Sequence, residues 1–287
     1  MTQSHAQAPA VDIRHLDKRL GEFRLRDVNL TVPSGYITGF VGPNGAGKTS
    51  TIKCLLGMLL PDAGTIQVLG RPAGTPTEEI GIVLDSPSLV GEWTVAEVGR
   101  AIGRFYASWQ PARFAHWCER LELPSATRIK QLSRGMGMKL QIALALSRDT
   151  RLLVMDEPTS GLDPLARDDL LSILGEYLLD ERNTVLFSTH ITADLERVAD
   201  YVAVIVDGRI LHAEPKDDLL ARYVMVRGGP QDLSERARAC VHGLRTHAGG
   251  FEGLVAVTEL ARFGDRVDVA PASLDELVIH LSRKAER

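Results

Sequence analysis

Residues 42 to 49 read GPNGAGKT, and these residue types at this spacing can bind phosphate. The run fits G-x-x-x-x-G-K-[ST], in which Gly42, Gly45 and Gly47, with Pro43, Asn44 and Ala46 between them, let successive backbone N–H groups point into one concavity. The start of a following helix adds favourable partial charge for an anion. Lys48 then reaches terminal phosphates, the Thr49 hydroxyl can hold Mg²⁺, and Ser50 opens the helix behind them.

A second chemical cluster is LLVMDE, which puts Asp156 and Glu157 at the end of a buried apolar run. In parallel sheets ligands collect at that edge. Two adjacent acids there divide the work: Asp156 orients Mg²⁺ or its water, and Glu157 polarises the water that attacks a γ-phosphate. Asp163 followed by Pro164 is a helix start that needs no further role. His190, at the end of NTVLFSTH, reads equally as a strand-end imidazole or a site residue.

The elements that must position these groups follow from periodicity. RDVNLTVPSG alternates Val28, Leu30 and Val32 with polar residues, as in a half-buried strand of an antiparallel layer. YITGFVG is a nearly all-apolar run that fits a buried central strand and stops at the phosphate loop. A helix is expected from Thr49 to Leu60. RLLVMD, NTVLFSTH and YVAVIVDGRI, separated by helical patterns, predict a parallel sheet covered by helices, with Asp207-Gly208 as a hairpin turn. Residues 93 to 150 hold no comparable strand; Thr94 and Glu97 have capping-box spacing, and a helix is expected over 111 to 121. Phe105, Trp109, Phe114 and Trp117 lie at helical spacing and are expected in its core. After residue 222 the texture shifts, and a strand pair around GLVAVTEL and DRVDVA, then a helix capped by Ser273 and Glu276, suggests a small α+β appendage.

The predicted fold class is therefore α/β: a phosphate-loop NTPase core with a parallel sheet, an N-terminal antiparallel β layer, an inserted helical subdomain over about 85 to 150, and a C-terminal α+β appendage. The core is expected over 11 to 220 and the accessory region over 221 to 287. With 33 basic and 37 acidic side chains, the formal charge is −4, so no basic field marks a nucleic-acid partner. The first ten residues carry neither a charged nor an apolar export segment, and no apolar run approaches the roughly 18 residues of a membrane span. The chain is expected in the cytoplasm, and any membrane crossing falls to another chain. Cys54, Cys118 and Cys240 have no metal-like spacing and read as reduced thiols.

With Gly42 to Thr49, LSRG at 132 to 135, Leu152 to Glu157, Ser160 to Asp163 and His190 in this order, the sequence resembles the ATP-binding cassette (ABC) ATPases over roughly residues 11 to 220. The resemblance implies that ATP and Mg²⁺ are bound by a subunit working as a homodimer or heterodimer, with two ATP molecules between opposed subunits. It implies that Ser133 and Gly135 contact the γ-phosphate of ATP held by the other subunit, that Asp163 lies at the dimer seam, and that His190 contacts the γ-phosphate of ATP and senses its loss. It also implies a separate polytopic membrane subunit docked on the helical insertion, and a peripheral position on the inner face of the cell membrane. Within the family, the region around the phosphate loop and the appended C-terminal region look most like bacterial export subunits.

Three places depart from the family pattern. Arg134 and Met136 stand where a glycine and a glutamine are usual. Asp85, in GIVLDSPS, stands where a glutamine usually touches both Mg²⁺ and the membrane partner, and it is expected to ligate the cation. Leu20, with Phe23 nearby, stands where an aromatic ring stacks on adenine. A soluble cassette ATPase acting on a non-membrane machine is the alternative reading, disfavoured by the single cassette and the absence of a heptad insertion or basic arm. A phosphate-loop kinase would leave Ser133 and His190 unexplained.

Overall fold

The computed structural model describes residues 8–85 and 89–283. The chain opens with β1 (Val11–Leu20), β2 (Phe23–Val32) and β3 (Ile37–Val41), then α1 (Lys48–Leu55), β4 (Ala63–Val68), β5 (Arg71–Pro72) and β6 (Ile80–Val83). Three helices follow, α2 (Val95–Gly103), α3 (Pro111–Arg120) and α4 (Arg134–Leu146). Strand and helix then alternate through β7 (Leu152–Asp156), α5 (Pro164–Tyr177), β8 (Thr184–Thr189), α6 (Thr192–Val198), β9 (Tyr201–Val206), β10 (Arg209–Pro215) and α7 (Lys216–Arg222). The last part comprises β11 (Tyr223–Gly228), α8 (Glu235–Arg238), β12 (Val241–His247), β13 (Gly250–Ala256), β14 (Asp268–Pro271) and α9 (Leu274–Ser282).

Three sheets organise these elements. The first is antiparallel, in the order β2-β1-β4-β5, and its β2 buries Leu25, Val28, Leu30 and Val32 between exposed neighbours, as the alternation predicts. The second has the order β10-β9-β3-β8-β7-β6; its pairs are parallel except for the β9–β10 hairpin at the edge. Every residue of β3, β7 and β8 is buried, which is why these segments show no alternation of apolar and charged residues. The NTPase-type core expected from the sequence is thus present, with the carboxyl ends of β3, β7 and β8 side by side.

Helix α1 is shorter than the expected run to Leu60. Gly57 adopts a left-handed φ of 71°, its N–H bonds to Cys54 O at 3.0 Å, and Met58 N–H bonds back to Lys53 O at 2.8 Å, closing the helix. In the helical region, the Thr94–Glu97 capping box forms at the start of α2. Trp109 and Phe114 pack with ring centroids 5.3 Å apart, as expected of core residues, but Phe105 is 82% exposed. The helix stops at Gly103, so the spacing that puts Phe105 on the buried face no longer applies.

The third sheet has the order β12-β13-β11-β14. GLVAVTEL and DRVDVA overlap β13 and β14, yet these strands do not pair with each other: both flank β11, a strand that periodicity does not single out. Their shared partner lies far upstream, and periodicity carries no pairing information over that distance. Ser273 and Glu276 do form the cap of α9. Helix α9 docks on α6: Thr192 Oγ1 donates to Asp275 Oδ1 at 2.9 Å, and Leu274 N donates to Glu196 Oε1 at 2.7 Å. Leu274 and Leu277 of α9 share one apolar core with Leu195 of α6 and Val202 of β9.

Between β10 and β11, His212 donates or accepts at both ring nitrogens, with Glu214 Oε1 3.2 Å from Nδ1 and the Tyr223 hydroxyl 3.1 Å from Nε2. Burial pushes His212 below its ordinary value of 6.5, against the pull of Glu214. The unfolded chain therefore binds the extra proton more readily, and stability present above pH 6.5 is lost as pH falls through that value. The thermal midpoint should drop between about pH 7.5 and pH 5.5, and His212→Gln should flatten that part of the curve; an unchanged slope in the variant would show that other groups set it.

Candidate active site

Gly42 follows β3 and lies against β9: a Cβ there would stand 2.2 Å from Ile205 O, so only glycine fits. Gly47 is the N-cap of α1 with φ 113°, and a Cβ there would meet Leu25 Cδ2 at 2.6 Å and Phe23 Cζ at 3.0 Å. The loop therefore lies tightly on the first sheet, with Pro43, Asn44 and Gly45 exposed and Ala46, Gly47 and Lys48 buried. Ala46 N bonds to Pro43 O at 3.1 Å, while among the described residues the N–H groups of Lys48, Thr49 and Ser50 have no acceptor within the chain. That is the donor array of an anion cradle.

Lys48 is 5% exposed, and its Nζ donates to Gly42 O at 2.8 Å and Pro43 O at 3.3 Å and lies 3.3 Å from Glu157 Oε1. The Thr49 hydroxyl donates to Asp156 Oδ2 at 2.8 Å, and Ser188 Oγ donates to Asp156 Oδ1 at 2.9 Å. Asp156 is buried at the end of β7 and is in register with Ser188 of β8. Because Thr49 uses its proton on Asp156, the hydroxyl lone pairs are left for a cation, so this pair fits Mg²⁺ chemistry.

Glu157 sits one residue beyond β7 with φ 51°, a left-handed conformation uncommon for its side chain. Its N–H bonds to Ser188 O at 2.9 Å, and its Oε2 is 2.7 Å from His190 Nδ1, which is the donor when it faces a carboxylate. The carboxylate is thus held between a buried ammonium and an imidazole at the floor of an open cleft of about 570 Å³. Leu20 and Phe23 line one end of this cleft, beside the phosphate loop, and Asp85, Arg134, Ser160 and His190 also line it.

The structure brings together the phosphate loop, Asp156, Glu157 and His190. Ser133, Gly135 and Asp163 are not among the cleft's lining residues. Ser133 caps α4, accepting from Met136 N at 3.2 Å, and Gly135 lies in the first turn, where a Cβ would come within 3.2 Å of Leu162 Cδ2. Asp163 caps α5 through bonds from Ala166 N at 2.9 Å and Leu165 N at 3.0 Å, and the Ala166 N–H leads in holding its carboxyl below the usual range. Asp85, expected at the cation, lies in the cleft, but its carboxylate pairs with the Arg134 guanidinium instead of the Thr49–Asp156 pair. An unshared positive fork at the head of α4 is a nearer partner for a carboxylate than a site already framed by Asp156.

Two residues that position the site escape sequence reasoning. Ser188 is legible only as a strand residue, though a hydroxyl at the end of a strand adjacent to an acid is the signal that points to it. Gln141 of α4 grips the backbone before Asp85 from both sides, accepting from Leu84 N at 2.8 Å and donating to Leu84 O at 2.9 Å.

The ABC transporter family model matches residues 25–160, which span the phosphate loop, α4 and the acidic strand. The chain is 34% identical to the Nod factor export ATP-binding protein I of a Rhizobium species (strain N33), over 95% of this chain and 97% of the relative. The protein of the same name from Ralstonia nicotianae is also 34% identical, over 97% of this chain and 95% of the relative. Among solved structures, an ATP-binding subunit of an ABC transporter superposes with a TM-score of 0.65 at 28% identity, covering 73% of this chain and 91% of that one. The cbiO1 subunit from Clostridium perfringens, part of the ABC transporter complex cbiONQ, has a TM-score of 0.63 at 23% identity over 75% of this chain and 92% of its own, a likeness of fold. An anion cradle, a buried lysine and an acid pair at the ends of three neighbouring strands agree with these likenesses: the chain belongs to the ABC transporter family and is an ATP-binding subunit that hydrolyses ATP.

Proposed function

We propose that this subunit drives export through a separate membrane protein by closing on ATP as a dimer and reopening after hydrolysis. The observation that carries the site assignment is the Lys48 ammonium, buried and shared between loop carbonyls and Glu157, where the γ-phosphate of ATP would replace these weaker partners. The free N–H groups at the head of α1 take the remaining phosphate charge. Thr49 and Asp156 hold Mg²⁺, which when bound neutralises phosphate charge. Glu157 takes the proton of the attacking water while the bond from the γ-phosphorus to the bridging oxygen of ADP breaks, and His190 fixes the carboxylate's orientation.

Ser133, Gly135 and Asp163 lie outside the chain's own cleft, which supports a role toward the nucleotide of a second subunit. Among the described residues no helix is long and apolar enough to cross a membrane; we assign the subunit a membrane-spanning partner and a place at the inner membrane face. The export direction rests on the names of the relatives, which are export ATP-binding proteins. With a net charge of −4 we assign no nucleic-acid partner.

The test is to isolate Glu157→Gln from its own cells in mild detergent with ATP and Mg²⁺. A polytopic membrane protein recovered in stoichiometric amount, with the subunit sizing as a dimer only when ATP is present, is the expected result. Recovery of soluble partners alone, or a monomer under all conditions, overturns it.

A further inference from the structure

Asp194 is a buried carboxylate for which the hydrolysis chemistry described above has no use. It lies in the first turn of α6, shortly after His190, and is 2% exposed. Among the described residues its Oδ2 has no hydrogen-bond partner, and its Oδ1 stands 3.8 Å from Nε of Arg167, beyond hydrogen-bond range. Arg167 Nε is likewise buried without an acceptor among those residues, although its side chain as a whole is partly exposed. The two charges therefore face each other as an ion pair without a hydrogen bond.

An acid in the first turn of a helix favours that helix from the surface as well as from the interior. Burying it costs hydration that no hydrogen bond returns here, so the fold gains little from placing it inside. What the placement does supply is a link between two helix starts. Asp163 caps α5, and Arg167 lies one turn on, its N–H bonded to Asp163 O at 3.0 Å. Helix α6 begins at Thr192, and its N-cap, Ile191, makes no side-chain cap bond. Its start is therefore held by its neighbours: α9, through Thr192 and Glu196, and α5, through Arg167. His190, on the turn into α6, in turn holds Glu157 across 2.7 Å. A second pair between α5 and α6, Arg197 Nη2 to Asp168 Oδ1 at 2.6 Å, lies on the surface and in the last turn of α6, away from the histidine.

We infer that Asp194 is a positioning residue for ATP hydrolysis: paired with Arg167, it fixes the turn that carries His190, and through it the carboxylate of Glu157, relative to the head of α5. The inference rests on the roles assigned above to Glu157 and His190 and extends them to α5. Neither Asp194 nor Arg167 lines the nucleotide cleft, so their effect falls on the rate and not on the binding of ATP.

The experiment measures steady-state ATP hydrolysis and ATP binding by the full chain, with the thermal midpoint of each variant as a check that it is folded. Asp194→Asn should lower kcat about tenfold while KM and ATP affinity stay within about twofold, because a small misplacement of the reacting groups acts on the transition state. Arg167→Gln should do the same, and the double variant should lose no more than either single. Asp168→Ala, which breaks the exposed pair between the same helices, should keep kcat within about twofold. On a His190→Ala background Asp194→Asn should have no further effect, whereas a general loosening of the fold would multiply with the first loss. Arg167→Gln, alone and with His190→Ala, carries the same test if Asp194→Asn does not fold. Wild-type kcat in Arg167→Gln or Asp194→Asn, weaker ATP binding with kcat intact, losses that multiply in the double variant, an equal loss from Asp168→Ala, or a further loss on the His190→Ala background would each overturn the inference. Hydrolysis by His190→Ala at the wild-type rate would instead remove the role of His190, and the inference with it.

Discussion

Glu157→Gln should lower kcat for ATP hydrolysis by at least about 100-fold, the scale of a positioned proton acceptor, while leaving ATP binding intact. The substitution keeps the length and shape of the side chain. It also keeps the backbone bond from Glu157 N to Ser188 O, and with it the left-handed φ of 51°. An amide oxygen still accepts from His190, so the loop stays in place. What is lost is the capacity to take a proton from water. Because the neutral amide also removes a negative charge 3.3 Å from the Lys48 ammonium, that ammonium becomes freer for phosphate, and affinity should hold or rise. Phosphate release and nucleotide binding, measured on one preparation, check both halves. Turnover near the wild-type rate would remove Glu157 from the chemistry.

Lys48→Ala should act on the other half of the cycle. The lysine donates to two loop carbonyls and faces Glu157, and its truncation takes the only lysine from the cleft lining among the described residues. Loss of a charge-assisted contact to phosphate should weaken ATP binding about 10- to 100-fold. A convenient readout is thermal: saturating ATP raises the wild-type midpoint by mass action, and the same concentration should raise the variant's midpoint by about half as much or less. The apoprotein should remain folded, because the carboxylate left behind retains its bond to His190. Equal stabilisation of the two proteins by ATP would show that the phosphates sit elsewhere.

Glu157 and Lys48 are both legible in the sequence because their chemistry is written in contiguous runs. A glycine-rich loop must be local, and the strand, the loop and the helix that build it follow one another in the chain. Asp156 is legible for the same reason, ending an apolar run that reads as a buried strand, whereas His190 reads equally as a strand-end imidazole until the family resemblance gives it a role. Ser188 does not stand out, because its meaning comes from the register of β8 against β7, which period alone does not specify. The Asp85–Arg134 pair is invisible on the same ground: each residue reads as an isolated departure from a family pattern, and only the fold shows them facing each other. The strands of the third sheet are partly visible, but their pairing through β11 is not. Phe105 shows the limit of helical spacing, which places a side chain only as far as the helix continues.

The docking of α9 on α6 bears on how the molecule is made. Thr192, two residues beyond His190, waits for Asp275, which lies 83 residues further along the chain. While those residues are still being synthesised, the phosphate loop and the acidic strand can already assemble, but the helix behind the histidine lacks its outer neighbour. Closing so long a loop is slow compared with forming the local elements. A nascent chain therefore acquires its nucleotide cradle before it acquires the support of its histidine, and the capacity to bind ATP should mature ahead of the capacity to cleave it.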